Sequence, residues 1–165
     1  MSLIEVNCDE VKGLLEKILD IDQRNRTEDT QINYDIDRDN QIKVISIIEK
    51  CGWPTKEKVG EKGMESVFLV IQHASKKIRA TYFPLIKQSA EKGDLKLGAV
   101  ALMEDRMLME NGQKQKYGSQ LVRTGDGPLT LYPIEDPENI NKRRAAMGLG
   151  SIEEYLKHFG LEYAP

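Results

Sequence analysis

Apolar residues recur at helical spacing along most of the chain and give way to strand-like alternation only once. Over residues 9–26, Val11, Leu14, Leu15, Ile18, Leu19 and Ile21 share one face of a 3.6-residue repeat, which predicts an amphipathic helix. A second helix is predicted over residues 37–50 from Ile42, Val44, Ile45, Ile47 and Ile48, with Asp37 or Asp39 as N-cap and Gly52 and Pro54 as its stop. Residues 64–75 and 97–109 are apolar nearly all round, so both helices are expected to be central and to pack on each other. Between them, residues 76–92 carry Ile78, Tyr82, Leu85, Ile86 and Ala90, and Pro84 is expected to kink or split that helix. Residues 121–123 and 129–132 favour strand around a glycine-rich turn and predict a hairpin. A short helix over residues 138–147, stopped by Gly148, precedes a capping box at Ser151 and Glu154 that opens a last helix to Phe159.

The polar runs over residues 27–39 and 56–65 read as connectors, with Gly60 and Gly63 at turns. Trp53, the single tryptophan, is expected to plug the core at the corner after the second helix. The expected architecture is a mainly α, helical bundle-like single domain over residues 1–165, with a small two-stranded β-hairpin near the C-terminal third.

Charge narrows the function classes. A net charge of −3 argues against a general nucleic-acid binder, because counterion release needs a concentrated basic surface. The small basic clusters, Lys76, Lys77 and Arg79, and Lys142, Arg143 and Arg144, read as solvated faces. Cys8 and Cys51 stand far apart with no CxxC, so the expectation is two reduced thiols in a cytoplasmic protein. The N-terminus shows no basic segment followed by an apolar one, and no run approaches the length of a membrane span, so no membrane association is expected.

Candidate chemistry gathers in two places. Glu104, Asp105 and Arg106 interrupt an otherwise apolar helix, where Asp105 lies in line with Ala101, Leu102 and Leu108. A charge there needs a specific partner, either a structural ion pair or a ligand. The loop after Asn111 and Gly112 brings Gln113, Gln115, Tyr117, Ser119 and Gln120 within eight residues, enough neutral donors and acceptors to orient a polar substrate. His73 follows Leu69 and Val70 at helical spacing, either as a hydrogen-bonded core residue or as a proton-transfer group. Asp22 and Arg26 are spaced to pair, and the expectation is an exposed pair.

The motifs Asp22-Gln23-x-x-Arg26, Asp37-x-x-Asn40, Gly52-Trp53-Pro54, Gln72-His73-Ala74, Asp105-Arg106, Gln115-x-Tyr117-Gly118-Ser119-Gln120, Asp136-Pro137 and Arg143-Arg144 occur in that order. Together they make the chain resemble DUF6624, a family of uncharacterised bacterial proteins, over nearly its whole length. The family usually has threonine where this chain has Ser119, which keeps the hydroxyl. The resemblance implies which polar residues to take together. His73, Asp105 and Arg106 become the expected catalytic group, with Gln72, Gln115, Tyr117, Ser119, Gln120 and Arg143 binding substrate.

Two functions fit that set. One is a hydrolase or lyase in which His73 acts as general acid or base on a small polar or anionic substrate, Asp105 orients it and Arg106 neutralises charge. The other is a non-catalytic binding or interaction module in which the motif residues form a structural hydrogen-bond network. No cofactor and no metal is expected, because one histidine and one aspartate do not make a ligand set.

Overall fold

A computed structural model describes residues 2–27 and 31–164. The chain forms two compact units, Met1–Leu95 and Lys96–Pro165. Together the described residues form seven α-helices and one antiparallel hairpin, so the fold is mainly α as the periodicity predicts.

The first unit contains α1 (Val11–Arg24), α2 (Tyr34–Cys51), α3 (Lys56–His73) and α4 (Lys76–Glu91). The α1 stripe of Val11, Leu15, Ile18 and Leu19 is buried, and α3 is its principal partner, with α2 touching both. The start of α2 comes earlier than its apolar pattern suggests, because the Asn33 side chain caps the helix by accepting from the Asp35 N–H. Asp37 is therefore not a cap but a buried helical residue. Residues 28–30, in the predicted connector, lie outside the described residues.

Helix α3 begins at Lys56, capped by Thr55, well ahead of the predicted residue 64. It breaks at Gly60, whose φ of +74° only glycine adopts cheaply, and then continues. Gly63 is helical rather than a turn. A Cβ there would lie 2.7 Å from Val59 Cβ, so the break folds the first turn of the element onto this bare position. At the other end, Arg79 is buried and its guanidinium donates to the carbonyls of Gln72 and Ala74. It caps α3, as a cation at a helix C-terminus should, and is not part of a solvated face. Helix α4 runs unbroken through Pro84, which lies on its exposed side.

The N-terminal segment is strapped to the far end of α2. The Ile4 N–H donates to Ser46 Oγ, Lys50 pairs with Glu5, and Cys8 is disulfide-bonded to Cys51. The expectation of two reduced thiols is thereby corrected; wide separation along the chain carries no information about proximity in space. Trp53 is only half-buried, and the neighbouring Pro54 is the buried residue of that corner.

The second unit contains α5 (Leu97–Glu110), β1 (Leu121–Arg123), β2 (Leu129–Leu131), α6 (Ile140–Ala146) and α7 (Ile152–Lys157). Helix α5 stops at Asn111, and Gly112 follows at φ +69°. The hairpin pairs Leu121 with Leu131 and Arg123 with Leu129. Leu121 and Leu131 pack on a small core of Ile140, Ile152 and Leu156 from α6 and α7, the support that a two-stranded hairpin needs. The capping box of α7 is complete, with Ser151 and Glu154 each bonded to the other's backbone N–H. Among the described residues, no helix is long and apolar enough to cross a membrane.

Candidate functional site

In the first unit the buried stripe of α1 continues past Ile18 into Asp22, which is 1 % exposed. Its Oδ1 lies 3.2 Å from His73 Nδ1, at the end of α3, and 3.0 Å from Arg26 Nη1. Its Oδ2 accepts from Gln23 Nε2 at 3.0 Å. Arg26 then reaches across to α2, where Nη2 lies 2.8 Å from Asp37 Oδ2. Asp37 Oδ1 accepts in turn from Asn25 Nδ2 at 3.0 Å. Two buried carboxylates thus share one guanidinium, and one of them also holds an imidazole.

Burial by itself would push the Asp22 carboxyl up. The hydrogen bond and charge of His73, the charge of Arg26 and the Gln23 amide outweigh it and hold the carboxyl below its ordinary value. Asp22 is therefore an anion at neutral pH. An ionised carboxylate accepts and does not donate, so it favours the tautomer with a proton on His73 Nδ1 and leaves Nε2 as the basic nitrogen. The His73 side chain is 19 % exposed, against 2 % for that of Asp22, so the imidazole is the part of the pair that reaches toward solvent.

The second unit handles a buried carboxylate differently. Asp105, fully buried on α5, accepts from the N–H groups of Lys116 at 2.7 Å, Tyr117 at 3.0 Å and Ser119 at 3.0 Å, and from Ser119 Oγ at 2.9 Å. The loop closes this tightly because Gly118 stands at φ +68°, where a Cβ would lie 2.7 Å from Ile152 Cδ1. Gln115 staples the loop to the hairpin. Its amide donates to the carbonyls of Gln120 at 3.0 Å and Tyr132 at 2.6 Å, and its Oε1 accepts from the Gln120 N–H at 2.8 Å.

Helices α6 and α7 hold the loop from the other side. Arg144 Nη1 donates to the Tyr117 carbonyl at 2.6 Å and Nε to the Gly150 carbonyl at 2.6 Å, while its guanidinium lies over the Tyr155 ring. Tyr155 donates to the Ser119 carbonyl at 2.9 Å, and Arg143 Nε to the Lys116 carbonyl at 2.8 Å. Neither arginine belongs to a solvated face. Lys116 Nζ and the Tyr117 hydroxyl both converge on Glu104, at 2.7 and 3.3 Å. The Glu104 hydrogen bond raises the Lys116 pKa, and burial, then Glu104, raises that of Tyr117.

Of the residues the sequence singles out, Gln72 and His73 lie in the first unit. Asp105, Arg106, Gln115, Tyr117, Ser119, Gln120 and Arg143 lie in the second. The carboxylate bonded to His73 is that of Asp22, and Asp105 is engaged by its own loop. Arg106 is half-buried on α5. Gln72 is buried beside His73, its carbonyl taken by Arg79.

Asp37 enters the sequence expectations only as an N-cap and a motif residue, Asn25 does not enter them, and Asp22 with Arg26 is expected as an exposed pair, whereas Asp22 is buried and the pair belongs to a network. A signal was available. Asp22 falls at i+4 from Ile18 on the buried stripe of α1, and Asp37 falls seven residues before Val44 on that of α2. Among the described residues, no three His, Cys, Asp or Glu side chains are grouped to hold a metal ion.

The profile of a family of unknown function, DUF6624, matches residues 16–164, nearly the whole chain, and the chain belongs to that family. No curated protein and no solved structure matches it. The Asp22 and Asp105 clusters both fall inside the matched region.

Proposed function

We propose that this member of DUF6624 is an enzyme acting on a small polar substrate, a hydrolase or lyase, with His73 as its general acid–base group and Asp22 as the residue that orients it. The observation that carries this reading is the 3.2 Å contact between His73 Nδ1 and Asp22 Oδ1, with the carboxylate pinned by Arg26 and Gln23. A carboxylate fixed in this way selects the tautomer, aims the ring and stabilises the imidazolium that forms when Nε2 takes a proton. A purely structural cluster would gain as much from apolar residues of similar volume, since burying ion pairs seldom increases stability. Arg26 serves the carboxylates and is not an anion-binding residue in this reading.

The motif residues of the second unit take a different part. Asp105, Gln115, Ser119, Gln120 and Arg144 hold the loop in shape, a reading supported by the fact that both Asp105 oxygens are occupied by that loop. The Cys8–Cys51 bridge favours an oxidising compartment over the cytoplasm expected from the sequence.

A thermal-shift screen against a metabolite panel, run on wild type, His73→Asn and Asp22→Asn, tests the proposal, because a ligand bound only by the native state raises the midpoint by mass action. The expected result is a hit lost in both variants although each still unfolds cooperatively, with a modest midpoint loss for Asp22→Asn, followed by turnover of that compound by wild type alone. A hit unaffected by either substitution would remove His73 from the site.

A further inference from the structure

We propose that Asn40 is a ligand-binding residue of the same site, and that the molecule it takes is small, uncharged and amide-bearing. This inference rests on the reading of His73 as the acid–base group. Asn40 is 1 % exposed, and neither its amide oxygen nor its amide nitrogen has a hydrogen-bond partner among the described residues. A buried carboxamide with no partner lowers stability, and a position that keeps one is accounted for when something else completes it.

Its place in the fold says what that is near. Asp37 and Asn40 stand one turn apart on the buried stripe of α2. The two helices run in opposite directions: Cys8, just before α1, is bonded to Cys51 at the end of α2, while Asn25 and Arg26, just after α1, bond Asp37 near the start of α2. Moving one turn along α2 from Asp37 to Asn40 therefore corresponds to moving one turn back along the chain, from Arg26 into α1 at Asp22. The turn of α2 that carries Asn40 thus stands opposite the turn of α1 that carries Asp22.

Charge and hydrogen-bonding chemistry then fix the ligand class. Nη1 of Arg26 is engaged by Asp22 and Nη2 by Asp37, and the imidazole of His73 is bonded to Asp22 as well, so the basic groups of the cluster are already paired with its two carboxylates. The attraction of an anionic ligand to them would be offset by those carboxylates. A carboxamide offers an acceptor beside donors, and its complement is a donor beside an acceptor. Primary amides, lactams and cyclic ureides present that edge without charge. Of the polar or anionic substrates expected from the sequence, this reading takes the uncharged class.

The test is a titration of the full chain with acetamide, 2-pyrrolidinone and dihydrouracil, and with acetate and inorganic phosphate at matched ionic strength. It is read from the side-chain NMR signals of Asn40 and His73 and repeated on Asn40→Leu and His73→Asn, alongside thermal midpoints. The expected result is saturable shifts with the amide probes only, their loss in Asn40→Leu, and an Asn40→Leu midpoint at or above wild type. A midpoint well below wild type would mean the amide completes a structural bond through water, and would overturn the proposal. So would acetate or phosphate binding as the amides do, or no amide response in wild type. Probes that bind Asn40→Leu as they bind wild type, yet fail on His73→Asn, would remove Asn40 and leave His73 in place. Probes that need Asn40 and ignore His73→Asn would keep the Asn40 site and remove the acid–base reading.

Discussion

Asp22 and Asp105 are both carboxylates buried to about 1 % exposure or less on a helix face, and each offsets the cost of burial with a different class of partner. Around Asp105 the donors are mainly backbone N–H groups of a single loop, joined by one serine hydroxyl. Around Asp22 they are side chains from its own helix, the turn after it and a second helix: Gln23, Arg26 and His73. Backbone donors have fixed positions and do not ionise at physiological pH, so the first arrangement can only hold shape. An imidazole is a proton-transfer group, so the second is equipped to do chemistry as well. Two aspartates equal in burial thus differ in what they are equipped to do.

The largest expected effect is on Asp105. Asp105→Ala removes the common acceptor of the 116–119 loop and strands buried donors, which should cost about 3–5 kcal/mol in denaturant unfolding. Asp22→Asn keeps the shape and an oxygen beside Arg26, and should cost about 1–2 kcal/mol while abolishing the ligand response. Equal losses at the two sites would erase the distinction between a scaffold carboxylate and a working one.

Reduction of the Cys8–Cys51 bridge should come next, at about 2–4 kcal/mol, because it releases a closure spanning 43 residues in the unfolded chain. The midpoint with and without reductant measures it, with Cys8→Ser/Cys51→Ser as the control that no reductant should shift. Gly118→Ala should cost about 1–3 kcal/mol, since alanine is strained at φ +68° and its Cβ would press on Ile152 and Ile140. Chemical denaturation gives the value. A neutral Gly118→Ala would mean that the Asp105 loop tolerates reshaping, and the scaffold reading would weaken with it.

Local rules were largely readable from the sequence. The α1 stripe, the stop of α5 at Asn111 and Gly112, the hairpin and the Ser151 capping box each depend on residues within a few positions of one another. The start of α3 was not, because a helix interrupted by one glycine at positive φ looks, in sequence, like a connector. The candidate site depended on the same distinction. Asp22 and Arg26 have the spacing of an ordinary surface pair, and what makes them a network is Asp37 and His73, brought in by helices α2 and α3. Asp105 was recognisable as a buried charge in need of partners, but not that those partners would be the backbone of the amide loop. Spacing along one helix reports a shared face; it does not report what the fold lays against that face.

The smallest effect, and the one that separates the two carboxylates by chemistry, is the acid dependence contributed by Asp22. His73, Arg26 and Gln23 outweigh burial and hold its folded pKa below the ordinary 3.8. A carboxylate depressed in the folded state contributes stability that is fully present above its unfolded value and is lost as pH falls through the folded one. Between neutrality and pH 3.8 the Asp22 contribution should therefore stay constant, then decline on further acidification. Asn at this position has nothing to protonate, so the stability gap between wild type and Asp22→Asn should be flat above that range and close below it. Urea unfolding at a series of pH values measures the gap directly. A gap that stayed unchanged into strong acid would mean that Asp22 draws nothing from its ionised form, and it would then be no better placed than any buried hydrogen-bond acceptor to hold a charged His73.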